Sequence, residues 1–229
     1  MKINGLQKTT LLDFPEKVAC TVFTGGCNFR CPFCHNASLV TRTDDASEIS
    51  QSEFFSYISK RKGILDGVCI TGGEPLLAHG IEDFIREIKN LGLLVKLDTN
   101  GTFPEKLEAL LSQGLLDYVA MDIKNSKEKY AETACVSQFP SKIEKSISLI
   151  MDMAPDYEFR TTVVKELHTP QDIEKIAQWI AGTKHYYLQT YVDSGDILCS
   201  GFSAYSEAEM LEILENTRKI LPCAVLRGA

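Results

Sequence analysis

The sequence VACTVFTGGCNFRCPFC, residues 18–34, joins a strand-like apolar run to a loop rich in glycine and cysteine. Its first six residues are mostly apolar and include several β-branched side chains, which is typical of a buried strand. Two glycines end the run, and Cys27, Cys31 and Cys34 follow closely. We therefore predict a buried strand that leads directly into a loop carrying three thiol groups.

Strand-like runs recur along the chain and alternate with stretches of helical period, which predicts an α/β fold of successive βα units around a parallel sheet. The predicted strands are Val18–Phe23, Gly67–Thr71, Leu93–Asp98, Tyr118–Asp122, Tyr157–Val164 and Tyr186–Tyr191, with Ala224–Leu226 as a weaker terminal candidate. The predicted helices are Ser50–Lys62, Ile81–Leu91, Pro104–Gln113, Ser141–Met153, Pro170–Ala181 and Ser206–Leu221. Right-handed crossovers allow either a doubly wound sheet or a barrel, and periodicity alone does not choose between them.

Composition and charge narrow the classes of protein. A chain of 229 residues with 44% hydrophobic residues and no linker-like segment is expected to form one domain over residues 1–229. The net charge of −7 argues against nucleic acid or an anionic membrane surface as the main partner. No apolar run approaches the roughly 20 residues of a membrane span, and the first residues do not resemble a signal peptide. We therefore expect a cytoplasmic protein.

The spacing Cys-x3-Cys-x2-Cys indicates a metal centre. In a cytoplasmic chain, 8 cysteines are more often metal ligands or buried thiols than a disulfide framework. The loop has no fourth cysteine nearby, and three thiolates can hold three irons of a cubane cluster while the fourth iron stays open to an outside ligand. The alternatives are a structural zinc site completed by His35 or a distant cysteine, and three unrelated thiols.

Unusual residues follow the predicted strands at their carboxyl ends, where ligands bind in both candidate architectures. These segments are Gly25-Gly26-Cys27, Thr71-Gly72-Gly73-Glu74-Pro75, Asp98-Thr99-Asn100-Gly101, Asp122-Ile123-Lys124 and Gln189-Thr190. Because these ends share one edge of a parallel sheet, we predict a single site there, to which Gln189 contributes.

The cysteine loop after one strand and Gly-Gly-Glu-Pro after the next resemble the radical S-adenosylmethionine (radical SAM) superfamily. Other stretches resemble its glycyl-radical-enzyme activating proteins, most of all those that activate anaerobic ribonucleoside-triphosphate reductases. These stretches are Gly5–Pro15, Cys34-His35-Asn36, Asp98–Gly101 and Met121–Lys124. The resemblance covers nearly the whole chain and implies a partial (βα)6 TIM-like barrel.

The resemblance also implies the cofactors. Cys27, Cys31 and Cys34 would ligate a [4Fe-4S] cluster, whose open iron would be chelated by S-adenosylmethionine. Phe33 would lie beside the adenine. The methionyl ammonium would meet residues 72–74, because Gly72 and Gly73 permit close backbone approach and Glu74 supplies an opposite charge.

Charged residues at two further strand ends complete the implied site. Asp122 and Lys124 stand two residues apart and so point to the same side, where the resemblance places the ribose and carboxylate of the cofactor. Asp98 and Thr99 match a monovalent-cation site of pyruvate formate-lyase activating enzymes, to which Asp122 also contributes. The alternative is a helix-capping aspartate and a surface lysine. The sixth predicted strand contains Gln189 but lacks the histidine that those enzymes use for the ribose.

The implied function is an activase. A reduced cluster would cleave S-adenosylmethionine, and the resulting 5′-deoxyadenosyl radical would take a hydrogen atom from a glycine of a partner enzyme, by resemblance an anaerobic ribonucleotide reductase. A flavodoxin- or ferredoxin-type protein would supply the electron. One alternative is a radical SAM enzyme acting on a nucleotide or cofactor precursor, and another is a non-enzymatic zinc module.

Three further expectations concern residues near these motifs. His79, His168 and His185 are expected at the surface or as helix caps. The stretch Lys124–Glu132 is expected to be a solvated loop. Arg160 is expected either to face the barrel interior or to form a structural salt bridge.

Overall fold

The computed structural model of the chain describes residues 1–41 and 49–228. Its strands are β1 Gly5–Thr10, β2 Ala19–Thr24, β3 Gly67–Gly72, β4 Leu94–Thr99, β5 Tyr118–Asp122, β6 Tyr157–Val163, β7 Tyr186–Thr190 and β8 Ala224–Arg227. Its helices are α1 Ala37–Thr41, α2 Gln51–Ser59, α3 Ile81–Asn90, α4 Pro104–Ser112, α5 Tyr130–Ala134, α6 Lys142–Met153, α7 Pro170–Trp179 and α8 Glu207–Ile220, with a short 3₁₀ helix at Pro75–Leu77.

The strands form one sheet whose spatial order follows the sequence from β1 to β8. β1 is antiparallel to β2, and every later neighbour pair is parallel. Within the described part of the chain β1 and β8 are the two edges, so the barrel is open. The predicted partial (βα)6 barrel is thereby confirmed as β2 to β7, and the weaker terminal candidate is confirmed as β8.

The sequence analysis did not predict the edge strand β1, the short helices α1 and α5, or the 3₁₀ helix at Pro75–Leu77. β1 has mostly exposed or half-exposed side chains and belongs to the sheet through backbone hydrogen bonds to β2, with Gly5 opposite Phe23. Such an edge strand has no apolar alternation that would predict it. The helices α1 and α5 have only five residues each, too few to show a helical period.

Side chains alternate across each strand, and this separates two environments. The outward-facing side chains pack under the helices in one large apolar core, which includes Val95 and Leu97 of β4. The inward-facing side chains of the same strand are the charged Lys96 and Asp98. A small apolar cluster with Phe14 and Tyr118 occupies the interior near the amino ends of the strands. The main hydrophobic core therefore lies outside the barrel, and the interior is largely polar.

Helices α2 and α3 illustrate how the outer layer is held. Ile81, Phe84, Ile85 and Ile88 of α3 form one buried face. The ring centroid of Phe84 lies 5.1 Å from that of Phe54 and 5.3 Å from that of Phe55, both on α2. Among the described residues no helix is long and apolar enough to cross a membrane.

Removing the Phe84 ring should destabilise this layer. We expect Phe84→Ala to lower the free energy of unfolding by about 3–5 kcal/mol, because it removes a buried ring and leaves a cavity. The control is Glu87→Ala on the exposed side of α3, with an expected change within about 0.5 kcal/mol. Urea denaturation of both variants measures the difference, and equal effects would contradict this account of the packing.

Candidate active site

A cavity opens at the carboxyl ends of the parallel strands, as predicted. Every predicted site residue except Glu74 lines it. The cysteine loop after β2 forms one side, and the ends of β3 to β7 form the other. The barrel curvature thus brings together side chains that are far apart in sequence, from Cys27 to Gln189.

The cysteine loop is held by backbone hydrogen bonds to three separate segments. Gly26 N–H donates to the carbonyl of Leu39 in α1 at 2.8 Å, and Arg30 N–H donates to Ala134 of α5 at 3.0 Å. Cys199 N–H donates to the carbonyl of Pro32 at 2.9 Å, so the segment after β7 also braces the loop. The positions of the three thiols therefore depend on contacts beyond the loop itself.

Burial governs the acidity of these thiols. Cys31 is buried, and desolvation raises its pKa to about 12, although Lys124 acts in the opposite direction. Burial also raises the pKa of Cys27. Both groups are therefore protonated near neutral pH, and binding of a metal centre would release their protons.

The turn after β3 accepts only glycine at two positions. A Cβ atom on Gly73 would lie 2.0 Å from the carbonyl oxygen of Gly26, and one on Gly72 would lie 2.3 Å from that of Thr24. Gly72 also has a φ of +119°, in the region that favours glycine. Glu74 N–H donates to the Gly26 carbonyl at 2.8 Å. This turn is therefore joined directly to the start of the cysteine loop.

Glu74 is fully buried behind the cavity wall. Its carboxylate accepts hydrogen bonds from Leu76 N–H at 3.0 Å, Thr99 Oγ1 at 2.9 Å and Asn100 N–H at 2.7 Å. Burial raises its pKa to about 7, and the three donors only partly offset this. In this structure Glu74 ties the end of β3 to the end of β4, and its contact with the methionyl ammonium stays a prediction.

Asp98, Asp122, Lys124 and Arg160 form one ion-pair network inside the cavity. Arg160 lies opposite Asp122 in the register of β5 and β6. Its Nε atom is 2.9 Å from Oδ1 of Asp122, and its Nη1 atom is 3.2 Å from Oδ2 of Asp98. Nζ of Lys124 lies 3.1 Å from Oδ2 of Asp122, so this pair shares one side as predicted. Both alternatives expected for Arg160 are confirmed, because its side chain faces the barrel interior and also forms salt bridges.

The network keeps its members charged in spite of burial. Desolvation opposes ionisation of Asp122, but Arg160 and Lys124 more than offset it and hold its pKa well below the ordinary value. Arg160 and Lys96 act in the same way on Asp98 and lower its pKa. The carboxylate of Asp122 raises the pKa of Lys124 against the effect of burial. The cavity therefore presents fixed charges of both signs to a ligand.

His168 was wrongly expected at the surface or as a helix cap, since Thr169 caps α7. It is fully buried beneath the cysteine loop, with its ring centroid 6.3 Å from that of Phe33. Nε2 donates to the Lys124 carbonyl at 2.8 Å, and Nδ1 lies 3.1 Å from the Val164 N–H nitrogen and 3.2 Å from the Val164 carbonyl oxygen. Burial lowers the pKa of His168 and so favours the neutral ring, in which Nδ1 accepts from Val164 N–H. His168 therefore positions the backbone that carries Lys124. Only this folded arrangement distinguishes it from His79 and His185.

The expected solvated loop Lys124–Glu132 was also wrong in part. Asn125 and Ser126 are buried, and Nδ2 of Asn125 donates to the Leu167 carbonyl at 3.0 Å. Tyr130 is buried at the start of α5 beside Phe29 of the cysteine loop. The charged side chains between Ser126 and Tyr130 gave this stretch the composition of a solvated loop. Its buried residues Asn125, Ser126 and Tyr130 instead pack against the elements that form the site.

Comparison with known proteins places this fold and site in a family. The model of the radical SAM superfamily matches residues 21–180. A protein of Methanocaldococcus jannaschii, provisionally named a glycyl-radical enzyme activating enzyme, is 31% identical over 98% of this chain and 95% of its own length. The chain therefore belongs to the radical SAM superfamily and is a radical SAM enzyme.

Two further proteins are similar. The pyruvate formate-lyase-activating enzyme of Listeria monocytogenes is 28% identical over 78% of this chain and 75% of its own. The crystal structure of Streptococcus suis SuiB bound to precursor peptide SuiA matches with a TM-score of 0.73 at 14% identity, covering 91% of this chain and 48% of that one. At that identity the structural match supports the fold alone.

Family membership implies a [4Fe-4S] cluster and S-adenosylmethionine, and the thiols fit such a cluster. Cys27, Cys31 and Cys34 are free thiols that line one cavity. In residues 1–41 and 49–228, no three His, Cys, Asp or Glu side chains converge on one point as a single zinc ion requires. A cubane does not need such convergence, because each thiolate binds a different iron. The family match favours the cluster over the zinc alternative.

Titration of His168 predicts a pH dependence of stability. Because burial lowers the pKa of His168, the unfolded chain binds more protons below pH 6.5, and stability falls there with falling pH. We expect His168→Gln, which keeps a donor and an acceptor, to remove up to about 1.4 kcal/mol of this loss per pH unit.

Urea denaturation of the cluster-free wild type and variant between pH 5 and 7.5 measures the effect. Glu74, whose raised pKa acts in the opposite direction, is common to both proteins and cancels in the difference. Parallel stability curves would contradict the assignment of a buried neutral His168.

Proposed function

We propose that this protein is an activating enzyme that generates a glycyl radical on a partner enzyme, and that the partner is an anaerobic ribonucleotide reductase. The observation that carries the proposal is the single cavity in which the three-cysteine loop faces the Gly72-Gly73 turn and the Asp122/Lys124 pair. Further support comes from the similarity of the M. jannaschii relative, which extends over 98% of this chain.

Cys27, Cys31 and Cys34 would hold the cluster, and the cavity opposite would hold S-adenosylmethionine. When bound, this pair supplies the radical chemistry, through one-electron cleavage of the sulfonium and removal of a hydrogen atom from glycine. The protein itself binds S-adenosylmethionine and orients it against the cluster. The fixed charges of Asp122 and Lys124 complement the polar groups of the cofactor, and the apolar ring of Phe33 offers a surface for its adenine.

The open barrel supports a protein substrate. β1 and β8 leave the sheet unclosed in the described part of the chain, and the cavity lies at its mouth. A partner that covers this mouth would itself exclude water and competing hydrogen donors. Residues 1–229 would then act as one radical SAM domain, supported by the single sheet that contains every described strand.

The choice of partner rests on the sequence. The resemblance to activating proteins of anaerobic ribonucleoside-triphosphate reductases spans most of the chain, and Gln189 stands on the strand where pyruvate formate-lyase activating enzymes carry a histidine. A flavodoxin- or ferredoxin-type reductant and a cytoplasmic location remain predictions.

Loss of any one cluster ligand should abolish cofactor cleavage. We expect Cys27→Ala, Cys31→Ala or Cys34→Ala to lose iron and to reduce 5′-deoxyadenosine formation at least about a hundredfold, because the cofactor's iron anchor disappears. The control is Cys223→Ala, near the amino ends of the strands, which should keep both its iron content and its rate of 5′-deoxyadenosine formation. Iron analysis and chromatography of anaerobic reactions give the readouts. Full turnover in any of the three variants would rule out the cluster assignment.

The partner is identified by its radical. After anaerobic reconstitution with iron and sulfide, the protein is reduced with S-adenosylmethionine and with each candidate glycyl radical enzyme in turn. We expect an electron paramagnetic resonance doublet only with the anaerobic ribonucleotide reductase. A doublet on another enzyme would move the proposal to that partner. Deoxyadenosine that forms without any protein radical, and faster with a nucleotide, would support the small-molecule alternative.

A further inference from the structure

The Arg160 guanidinium lies between two carboxylates that the resemblance to pyruvate formate-lyase activating enzymes assigns to a monovalent cation. Nε and Nη1 of Arg160 contact Asp122 and Asp98 at 2.9 and 3.2 Å. These two residues and Thr99 all line the cavity, as the resemblance to pyruvate formate-lyase activating enzymes implies. A positive charge that belongs to the protein therefore already lies between the two carboxylates expected to bind the cation.

The carboxylate oxygens that would bind a cation already contact cationic side chains of the protein. Oδ1 of Asp98 contacts Nζ of Lys96, and Oδ2 accepts from Arg160. Oδ1 of Asp122 accepts from Arg160, and Oδ2 accepts from Lys124 at 3.1 Å. Each of the four oxygens therefore already faces a cationic side chain. A sodium or potassium ion between Asp98 and Asp122 would have to share these oxygens with the Arg160 guanidinium, which is itself positively charged.

The charge balance points the same way. The network extends along the barrel interior to Glu158, which pairs with Arg227 at 3.1 Å and lies 3.7 Å from Arg160. It contains three carboxylates, on Asp98, Asp122 and Glu158, and four cations, on Lys96, Lys124, Arg160 and Arg227. These seven side chains together carry one net positive charge, counted without the adjacent buried carboxyl of Glu74, whose pKa burial raises to about 7. A further cation in this poorly solvated space would be repelled, whereas the carboxylate of S-adenosylmethionine would be attracted.

We propose that Arg160 takes the place of a monovalent cation in this enzyme, so that S-adenosylmethionine binds independently of sodium and potassium. Arg160 is then a positioning residue, which neutralises Asp98 and Asp122 and keeps them in place beside Lys124. This inference rests on the proposed binding of S-adenosylmethionine in the cavity, but not on the identity of the partner enzyme.

The test measures cofactor binding rather than turnover. Anaerobic equilibrium dialysis of labelled S-adenosylmethionine with the reconstituted protein is performed in sodium, potassium or tetramethylammonium chloride at equal ionic strength. Tetramethylammonium is too large to enter the site and so provides the condition without a bound cation. For the wild type we expect the Kd to stay within about twofold across the three salts, because Arg160 already supplies the positive charge.

Arg160→Met creates the cation requirement. With the guanidinium gone, Asp98 and Asp122 each expose a carboxylate oxygen toward the other, as a cation site requires. We expect a Kd about tenfold or more weaker in tetramethylammonium chloride, with recovery in sodium or potassium chloride. Arg160→Lys keeps the charge and should stay independent of the salt. Lys89→Met, which removes a 2.7 Å ion pair with Asp117 away from the cavity, should behave as the wild type.

Each outcome bears on a defined claim. A wild-type Kd that changes more than about twofold between tetramethylammonium and potassium would overturn the inference even if Arg160→Met did not fold. A folded Arg160→Met protein whose Kd ignores the salt would overturn it as well. Failure of the loaded wild type to bind S-adenosylmethionine in any salt would count against the proposed function itself.

Discussion

The ion-pair network inside the barrel is the constraint on which the rest of the site depends. Each parallel strand places alternate side chains in the interior, and near the carboxyl ends of β4 to β6 these include the charged Asp98, Asp122 and Arg160. Buried charges persist only when they are paired, so Arg160 must lie between Asp98 and Asp122. These ion pairs keep the carboxyl ends of β4, β5 and β6 at a fixed distance from one another, and the pair with Asp122 keeps Lys124 at the cavity wall. The geometry offered to a ligand is therefore set by the protein's own charges.

A second set of contacts joins the cysteine loop to this frame. The Gly72-Gly73 turn approaches Thr24 and Gly26 so closely that any Cβ atom would separate them. Glu74 then connects the same turn to the end of β4 through Thr99 and Asn100. A change in the turn would consequently move the thiol groups as well as the strand ends, because they share one hydrogen-bonded unit. The close approach explains why two glycines precede the glutamate.

Sequence reasoning succeeded where the signal was local. The apolar runs of β2 to β7 and the helical period of the long helices are properties of neighbouring residues, and they identified those elements. It failed where an element depends on distant partners. The edge strand β1 is stabilised by pairing with β2, and His168 resembles any loop histidine until the folded chain places it against the Lys124 carbonyl.

The sequence by itself determined the parallel α/β architecture, the three-thiol loop and the convergence of its unusual residues at one end of the strands. These follow from side-chain periodicity and from the direction of successive strands, which are local properties. Only the tertiary structure decided that Glu74 lies behind the cavity wall and that Arg160 lies between two carboxylates. Those placements depend on the curvature of the open sheet, which sets the distances between side chains on different strands.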